Sequence, residues 1–302
     1  MPERVCYFNG QMVPETQAVV PVMDRGFLYG DAVYDIARSF GHRPFAVREH
    51  LERLYRSARY LRIDPGMPIE KMERITLDVF ERNRPLLGEH EDYTLVQRIA
   101  RGHCAEDNPL TAGPPTVVVM TPPVKFRSFA RAYQEGIHVV TPSVRRTPPV
   151  CIDSRAKIQN KANHILADIE AKQVDPRAYS LMLDLNGHIA ENSAANFFMV
   201  KGGVLITPTD LNALSGITRG HLIRLAREAG IPVEEANLTL YDAYNADEAF
   251  LTTTSPVILP IARINGLSVP GPLPGPITAL LLRAWSSMVG VDIVKQALSH
   301  LG

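Results

Sequence analysis

Residues 153–173, DSRAKIQNKANHILADIEAKQ, carry lysines inside an apolar repeat. Helical spacing sets Ile158, Ala162, Ile165, Ala167 and Ile169 along one broad side, which predicts an amphipathic helix packed on a core. Its first turn, however, crowds Lys157, Gln159, Asn160, Lys161, Asn163 and His164 together, more polar groups than a plain core helix carries. Lys157 or Lys161 therefore faces water, as most lysines do, or points at chemistry.

Upstream, Val5 to Phe8, Asn9-Gly10 and Gln11 to Val13 read as a hairpin. Ala32 to Phe40 is rich in strand formers, and Arg48 to Leu61 and Ile69 to Arg82 have helical periodicity. Strands follow at Tyr93 to Ala100 and Thr116 to Met120. These make a small α+β domain over residues 1–122. Pro122-Pro123 and the polar stretch behind it predict an interdomain linker over 123–134. Residues 135–302 then form a larger, mixed α/β domain. It holds strands at Ile137 to Pro142, Tyr179 to Leu185, Phe197 to Val200 and Val204 to Thr207, and helices at Thr218 to Ala229 and Pro276 to Val289.

Composition excludes several classes of function. Lysine plus arginine and aspartate plus glutamate each number 32, so nothing favours a polyanionic partner, whether nucleic acid or an anionic membrane. The three cysteines, Cys6, Cys104 and Cys151, lack metal-site spacing, so no metal is expected and each reads as a small apolar residue in a reducing cytoplasm. No apolar run reaches the roughly 18 residues of a membrane span.

Two hydroxyl-rich turns are candidate anion sites. LSGITRG places Ser215, Ile217 and Thr218 at the start of a helix, where free N–H groups either meet a phosphate or are capped by the hydroxyls. Thr254-Ser255, after the strand that starts at Glu248, is a similar turn. Lys157 and Glu191 complete a chemical set. A partly desolvated lysine can form a Schiff base, and a carboxylate can keep a pyridine nitrogen protonated so that the ring accepts electrons. That pairing describes pyridoxal phosphate chemistry.

The ordered motifs DRGFLYGDAVYD, EHLERLY, KIQNKAN, DLNGHIAENSAANFFMVKGGVLITP, LSGITRGHLIRLAREAG and DEAFLTTTSP resemble the class IV aminotransferases, the fold-type-IV pyridoxal-phosphate enzymes. The resemblance spans Tyr7 to about Trp285. It implies pyridoxal 5'-phosphate as cofactor and Lys157 as the Schiff-base lysine. It further implies Glu191 as partner of the pyridine nitrogen, and Arg53, Ile217, Thr218 and Thr254 as phosphate ligands. An amino donor and a 2-oxo acid acceptor would be the substrates, and a homodimer the assembly.

Within the family the motifs look most like D-amino-acid aminotransferases, which gives Tyr34 a place in the substrate pocket. Branched-chain aminotransferases show a YIRP-like element before the RG pair and a tyrosine five residues after the lysine; this chain has Thr94, Val96 and Ala162 there. The D-amino-acid enzymes carry an Arg-x-His carboxylate trap after the RG pair, where this chain has Glu106 and Asp107. Substrate anchoring then falls to Arg38, Arg98, Arg101 or the Thr254-Ser255 backbone, or the donor is an amine, as in the related R-selective amine transaminases. Aminodeoxychorismate lyases share the fold but have threonine where Asp35-Ile36 stands. A binding module without catalysis would leave Lys157 idle.

Overall fold

A computed structural model describes residues 3–104, 108–111 and 113–301, and the chain divides into two units. The first runs to Val124 and takes in Ala156–Asn160. β1 (Val5–Phe8) and β2 (Gln11–Pro14) pair across Asn9 and Gly10, whose φ of 46° and 99° suits a two-residue hairpin turn between twisted strands. α1 (Arg25–Tyr29), β3 (Ala32–Phe40), β4 (Arg43–Phe45), α2 (Val47–Tyr60), α3 (Ile69–Asn83), β5 (Thr94–Ala100) and β6 (Thr116–Met120) follow. The strands form one antiparallel sheet in the order β2-β1-β6-β5-β3-β4.

Alternation decides which side of this sheet is core. Val33 and Ala37 of β3 and Leu95 and Ile99 of β5 join Leu51 and Leu54 of α2 and Met72 and Phe80 of α3 in one buried cluster. Tyr34 and Arg98, one residue out of phase, are opposite each other in the ladder and only part-buried on the other face.

β4 covers β3 only along Arg38–Phe40. The other end of that edge is taken by Ala156–Asn160. Tyr34 N donates to Lys157 O at 3.1 Å, Gln159 N donates to Ala32 O at 2.7 Å, and Val33 bridges Ile158 antiparallel. This corrects the helix expected to contain Lys157: the helix starts only at Ala162, with Lys161 as its N-cap. The Lys157 and Gln159 N–H groups are committed to Ser57 Oγ and Ala32 O, and so cannot serve a helix. Of the expected apolar face Ala167 is buried, but Ile165 and Ile169 are 56% and 48% exposed.

The second unit comprises Lys125–Arg155 and the chain from Lys161 onward. It contains α4 (Ala132–Glu135), β7 (Ile137–Val140), α5 (Ala162–Val174), β8 (Tyr179–Ser180), β9 (Asn196–Lys201), β10 (Val204–Pro208) and α6 (Ile217–Glu228). β11 (Val233–Ala236), α7 (Leu240–Tyr244), β12 (Glu248–Thr253), β13 (Val257–Ile264), β14 (Leu267–Ser268), α8 (Pro276–Val289) and α9 (Ile293–Leu298) complete it. Its mixed sheet runs β11-β10-β9-β12-β13-β7-β8, with β14 on β13. The unbroken apolar run in β9 is buried on both faces, as a central strand requires. Phe198 stacks on its ladder partner Phe250 at 5.1 Å.

The segment expected as a linker over 123–134 is not a bare connection. Phe126, Phe129 and Tyr133 are buried, and a 3-10 turn at Phe126–Ser128 and α4 belong to the second unit. The prolines stop β6, but the aromatic residues behind them enter a core. The strand expected over Tyr179 to Leu185 contracts to Tyr179–Ser180. Cys6 and Cys104 are buried, whereas Cys151 is exposed in a turn, so the apolar reading does not extend to it.

In the first unit Asp92 is fully buried and accepts from Ser39 Oγ at 2.6 Å, His42 N at 3.0 Å and Gly41 N at 3.1 Å, with the Arg38 guanidinium at 3.4 Å. Asp92→Ala would leave Arg38 buried beside orphaned donors. We expect it to lower unfolding free energy by about 3–5 kcal/mol in urea titration; a loss below about 1 kcal/mol would show that the network is dispensable.

Candidate active site

In the first unit Lys157 Nζ stands 4.8 Å from the centre of the Tyr34 ring, and Arg98 Cζ stands 5.3 Å from the same ring. Gln159 lies two residues beyond Lys157 on the extended segment, so the two side chains share a side, and Arg98 Nη1 donates to Gln159 Oε1. The sheet and the returning segment thus bring Lys157, Tyr34, Arg98 and Gln159 together. Lys161 is turned elsewhere: its Nζ donates to the Ser193 carbonyl at 2.6 Å.

Arg53 sits on the buried stripe of α2. Its Nε and Nη2 donate to the two oxygens of Asp35, each at 2.8 Å, and His50 Nδ1 lies 2.7 Å from Asp35 Oδ1. Burial alone would raise the Asp35 pKa, but the Arg53 guanidinium and the His50 ring outweigh it and hold the carboxylate well below its usual range. Burial lowers the His50 pKa. Asp35 therefore fixes the plane of the Arg53 guanidinium.

Two of the arginines considered for substrate binding are committed to the fold. Arg38 Nε donates to the Ser39 carbonyl, and its guanidinium faces Asp92 and the Phe40 ring. Arg101 is bidentate on Asp31, at 2.7 and 3.0 Å, and donates to the Leu61 and Arg62 carbonyls. Glu106 and Asp107 lie outside the described residues.

In the second unit Glu191 is buried between Arg146, whose Nε donates to Oε1 at 2.8 Å, and Leu214 N, which donates to Oε2 at 2.9 Å. Burial raises its pKa, yet the His164 ring, Arg146 and the Leu214 N–H together bring it down to about 2. At 3.9 Å the imidazole is beyond hydrogen-bond length, so the Arg146 and Leu214 contacts are the principal ones. Asn196, paired with Glu191 in an isolated bridge, donates through Nδ2 to the Leu214 carbonyl at 2.8 Å.

Asn196 also sets the start of α6. A Cβ on Gly216, its N-cap, would come 2.1 Å from Asn196 Oδ1, so the close approach admits only glycine. No side chain caps this helix, and the N–H groups at its first turn, with the Thr218 hydroxyl, form a donor set suited to a phosphate. Thr254 and Ser255 lie in the turn between β12 and β13, and β12 is the neighbour of β9, which begins at Asn196. Val257, just after that turn, holds φ at 63°, an uncommon conformation for a β-branched residue.

Sequence reasoning passed over Asp35, His50, Ser57, Arg146 and Asn196. The first three had a readable signal, namely polar residues at the buried phase of a strand or helix: Asp35 between Val33 and Ala37, and His50 and Ser57 on the stripe of Leu51, Leu54 and Ala58. Arg146 and Asn196 had none, since their partners are distant in sequence.

Pyridoxal phosphate requires an amine, a carboxylate for its ring nitrogen and donors for its phosphate; a part-buried lysine, an ionised buried Glu191 and an uncapped α6 fit those needs. Comparison with known proteins agrees. Residues 32–264 match the model of the amino-transferase class IV family. A protein of Methanocaldococcus jannaschii, named provisionally as a branched-chain-amino-acid aminotransferase, is 37% identical over 277 residues, covering 91% of this chain and 93% of its own. D-alanine aminotransferase of Listeria monocytogenes is 34% identical over 277 residues, covering 90% of this chain and 92% of its own. The structure of Escherichia coli branched-chain amino acid aminotransferase superposes with a TM-score of 0.88 at 31% identity, covering 96% of this chain and 95% of that one. The T.th. branched-chain amino acid aminotransferase, solved with pyridoxamine 5'-phosphate, superposes equally well, with a TM-score of 0.88 at 28% identity and the same coverage of 96% and 95%. The chain belongs to the class IV aminotransferases: it has the fold-type-IV architecture and is a pyridoxal-phosphate-dependent transaminase.

A Glu191 pKa held below its usual value in the fold is a contribution to stability. Because the folded-state value is the lower one, that stability is present above the unfolded pKa and is lost as pH falls toward 2. We expect Glu191→Gln apoprotein to be less stable than wild type from about pH 5 upward, with the two converging between pH 4.5 and 2. Unfolding titrations across that range check this; a constant difference would assign the loss to packing.

Proposed function

We propose that this transaminase is of the D-amino-acid type, moving an amino group between a D-amino acid and a 2-oxo acid and accepting R-configured amines as secondary donors. The observation that carries the reading is the three positions where the branched-chain signature fails: β5 presents Thr94 and Val96, and α5 opens on Ala162. The D-alanine aminotransferase relative supports it. A branched-chain L-amino-acid aminotransferase is the second reading, favoured by the Methanocaldococcus relative and the Escherichia coli structure.

When bound, pyridoxal phosphate supplies the electron sink that makes the substrate Cα–H acidic. In this reading Lys157 would hold the cofactor through its amine, and its Nζ would take the Cα proton. Glu191 holds the proton at the ring nitrogen, and Arg146 and the Leu214 N–H keep that carboxylate ionised. Arg53, oriented by Asp35, is the phosphate ligand the first unit would supply, and Ile217, Thr218 and Thr254 are those the second would supply. Tyr34 lines the substrate pocket. We assign a homodimer, supported by an exposed apolar stretch in which Val19, Val22, Met23, Phe27 and Tyr29 are each more than half exposed. No described helix is long and apolar enough to cross a membrane, and we place the protein in the cytoplasm.

Borohydride reduction of the cofactor-loaded protein followed by peptide mapping should label Lys157; label on Lys161 or Lys172 would overturn the assignment. Glu191→Gln should keep the cofactor and lose at least about a hundredfold in turnover. A screen of D- and L-amino acids and both enantiomers of 1-phenylethylamine, with pyruvate and 2-oxoglutarate as acceptors, should show D-amino-acid turnover. R-1-phenylethylamine should react within about a thousandfold of it, a gap of roughly 4 kcal/mol. Efficient turnover confined to L-valine, L-leucine and L-isoleucine would replace this reading with the branched-chain one.

A further inference from the structure

The arginines around the first unit's sheet differ in what neutralises them. Arg38 faces Asp92, Arg53 is bidentate on Asp35, and Arg101 and Arg25 share Asp31. Arg98 has a different neighbourhood. It is part-buried, its guanidinium lies over Tyr34, and its hydrogen-bond partner is the neutral amide oxygen of Gln159. Among the described residues no carboxylate stands within ion-pair distance of it, and burial lowers its pKa, the mark of a cation that has lost water without gaining a counter-charge.

The surroundings hold this cation in place. Tyr34 is its ladder partner on β3, and Gln159 is fixed by its own N–H bond to Ala32 O. Lys157 Nζ lies over the same Tyr34 ring. A part-buried guanidinium whose hydrogen-bond partner is a neutral amide is a receptor for an anion.

We propose that Arg98, oriented by Gln159 and Tyr34, is the specificity-determining anchor for the α-carboxylate of the amino-acid donor and of the 2-oxo acid acceptor. This rests on the transaminase roles proposed above, in which Lys157 Nζ takes the Cα proton. The α-carboxylate is bonded to that same carbon, so an anchor sharing a ring with Lys157 meets this group rather than a side-chain carboxylate. The guanidinium presents two parallel N–H donors to the two oxygens. Gln159 takes one N–H and limits how the plane can turn. The anchor lies on β5 ahead of the RG pair, whereas the Arg-x-His trap follows that pair, and it stands two residues beyond Val96, which occupies the place of the YIRP-like element.

The test pairs substrate discrimination with direct binding. For wild type, Arg98→Ala, Arg98→Lys and Gln159→Ala, kcat/KM is measured for D-alanine and for R-1-phenylethylamine, and propanoate binding to the apoprotein and the cofactor-loaded protein is measured by calorimetry. In Arg98→Ala the ratio of D-alanine to amine kcat/KM should fall at least about a hundredfold and propanoate binding should be lost. Arg98→Lys, which keeps the charge but not the bidentate fork, should recover part of both, and Gln159→Ala should fall between. Cofactor affinity should hold in all three. Equal loss for both donors with propanoate affinity intact would overturn the proposal, as would a loss confined to donors with a second carboxylate, which would make Arg98 a side-chain site. Should the cofactor-loaded wild type turn over no donor, the transaminase roles would fall, while loss of propanoate binding in Arg98→Ala would still support the anchor.

Discussion

The hydrogen bonds between Ala156–Asn160 and the edge of β3 are the constraint on which the candidate site of the first unit depends. β4 is too short to cover that edge, and the remaining backbone groups of Ala32 and Tyr34 need partners. The returning chain supplies them. In doing so it gives up helical geometry, takes on a two-residue repeat, and places Lys157 and Gln159 on one side with Tyr34 and Arg98 before them. The polarity that looked excessive for a helix is ordinary for an edge segment with one face toward a site.

Charge placement follows from the same economy of partners. Asp31, Asp35 and Asp92 are each occupied by arginine, so these buried pairs stiffen the sheet and leave no spare carboxylate among them. Glu191 is handled differently. It is buried and ionised, but Arg146 reaches Oε1 and a backbone N–H reaches Oε2, so the charge is shared by two donors. A carboxylate held this way stays anionic over the whole working pH range and keeps its orientation without a bidentate clamp.

Much of this fold was legible in local pattern. Ala32–Phe40, Thr116–Met120 and Pro276–Val289 fall where periodicity and turn residues put them, because their neighbours in sequence decide their burial. The helix expected around Lys157 fails for a physical reason: residues 153–161 have helical spacing, but Ser57 and Ala32, far away in the chain, claim the N–H groups of Lys157 and Gln159. The same separation hid Arg146 behind Glu191 and Asn196 behind Gly216. Family motifs pointed to Lys157 and Glu191 but left Arg98 one candidate anchor beside Arg38 and Arg101; what sets it apart is the absence of a neighbouring carboxylate among the described residues, a property of space rather than of sequence.

The two-residue repeat of the segment that carries Lys157 also governs which changes of length the gene can accept. Inserting or deleting one residue between Ala156 and Asn160 would reverse the side of every side chain beyond it, parting the lysine from Gln159 even if composition were untouched. The turn just ahead is free of that rule: Val150 is 91% exposed and Cys151 beside it is exposed too. Residues can be gained or lost there while the register downstream is preserved. Length variation in this lineage should therefore gather before Ser154 and stop at Ala156.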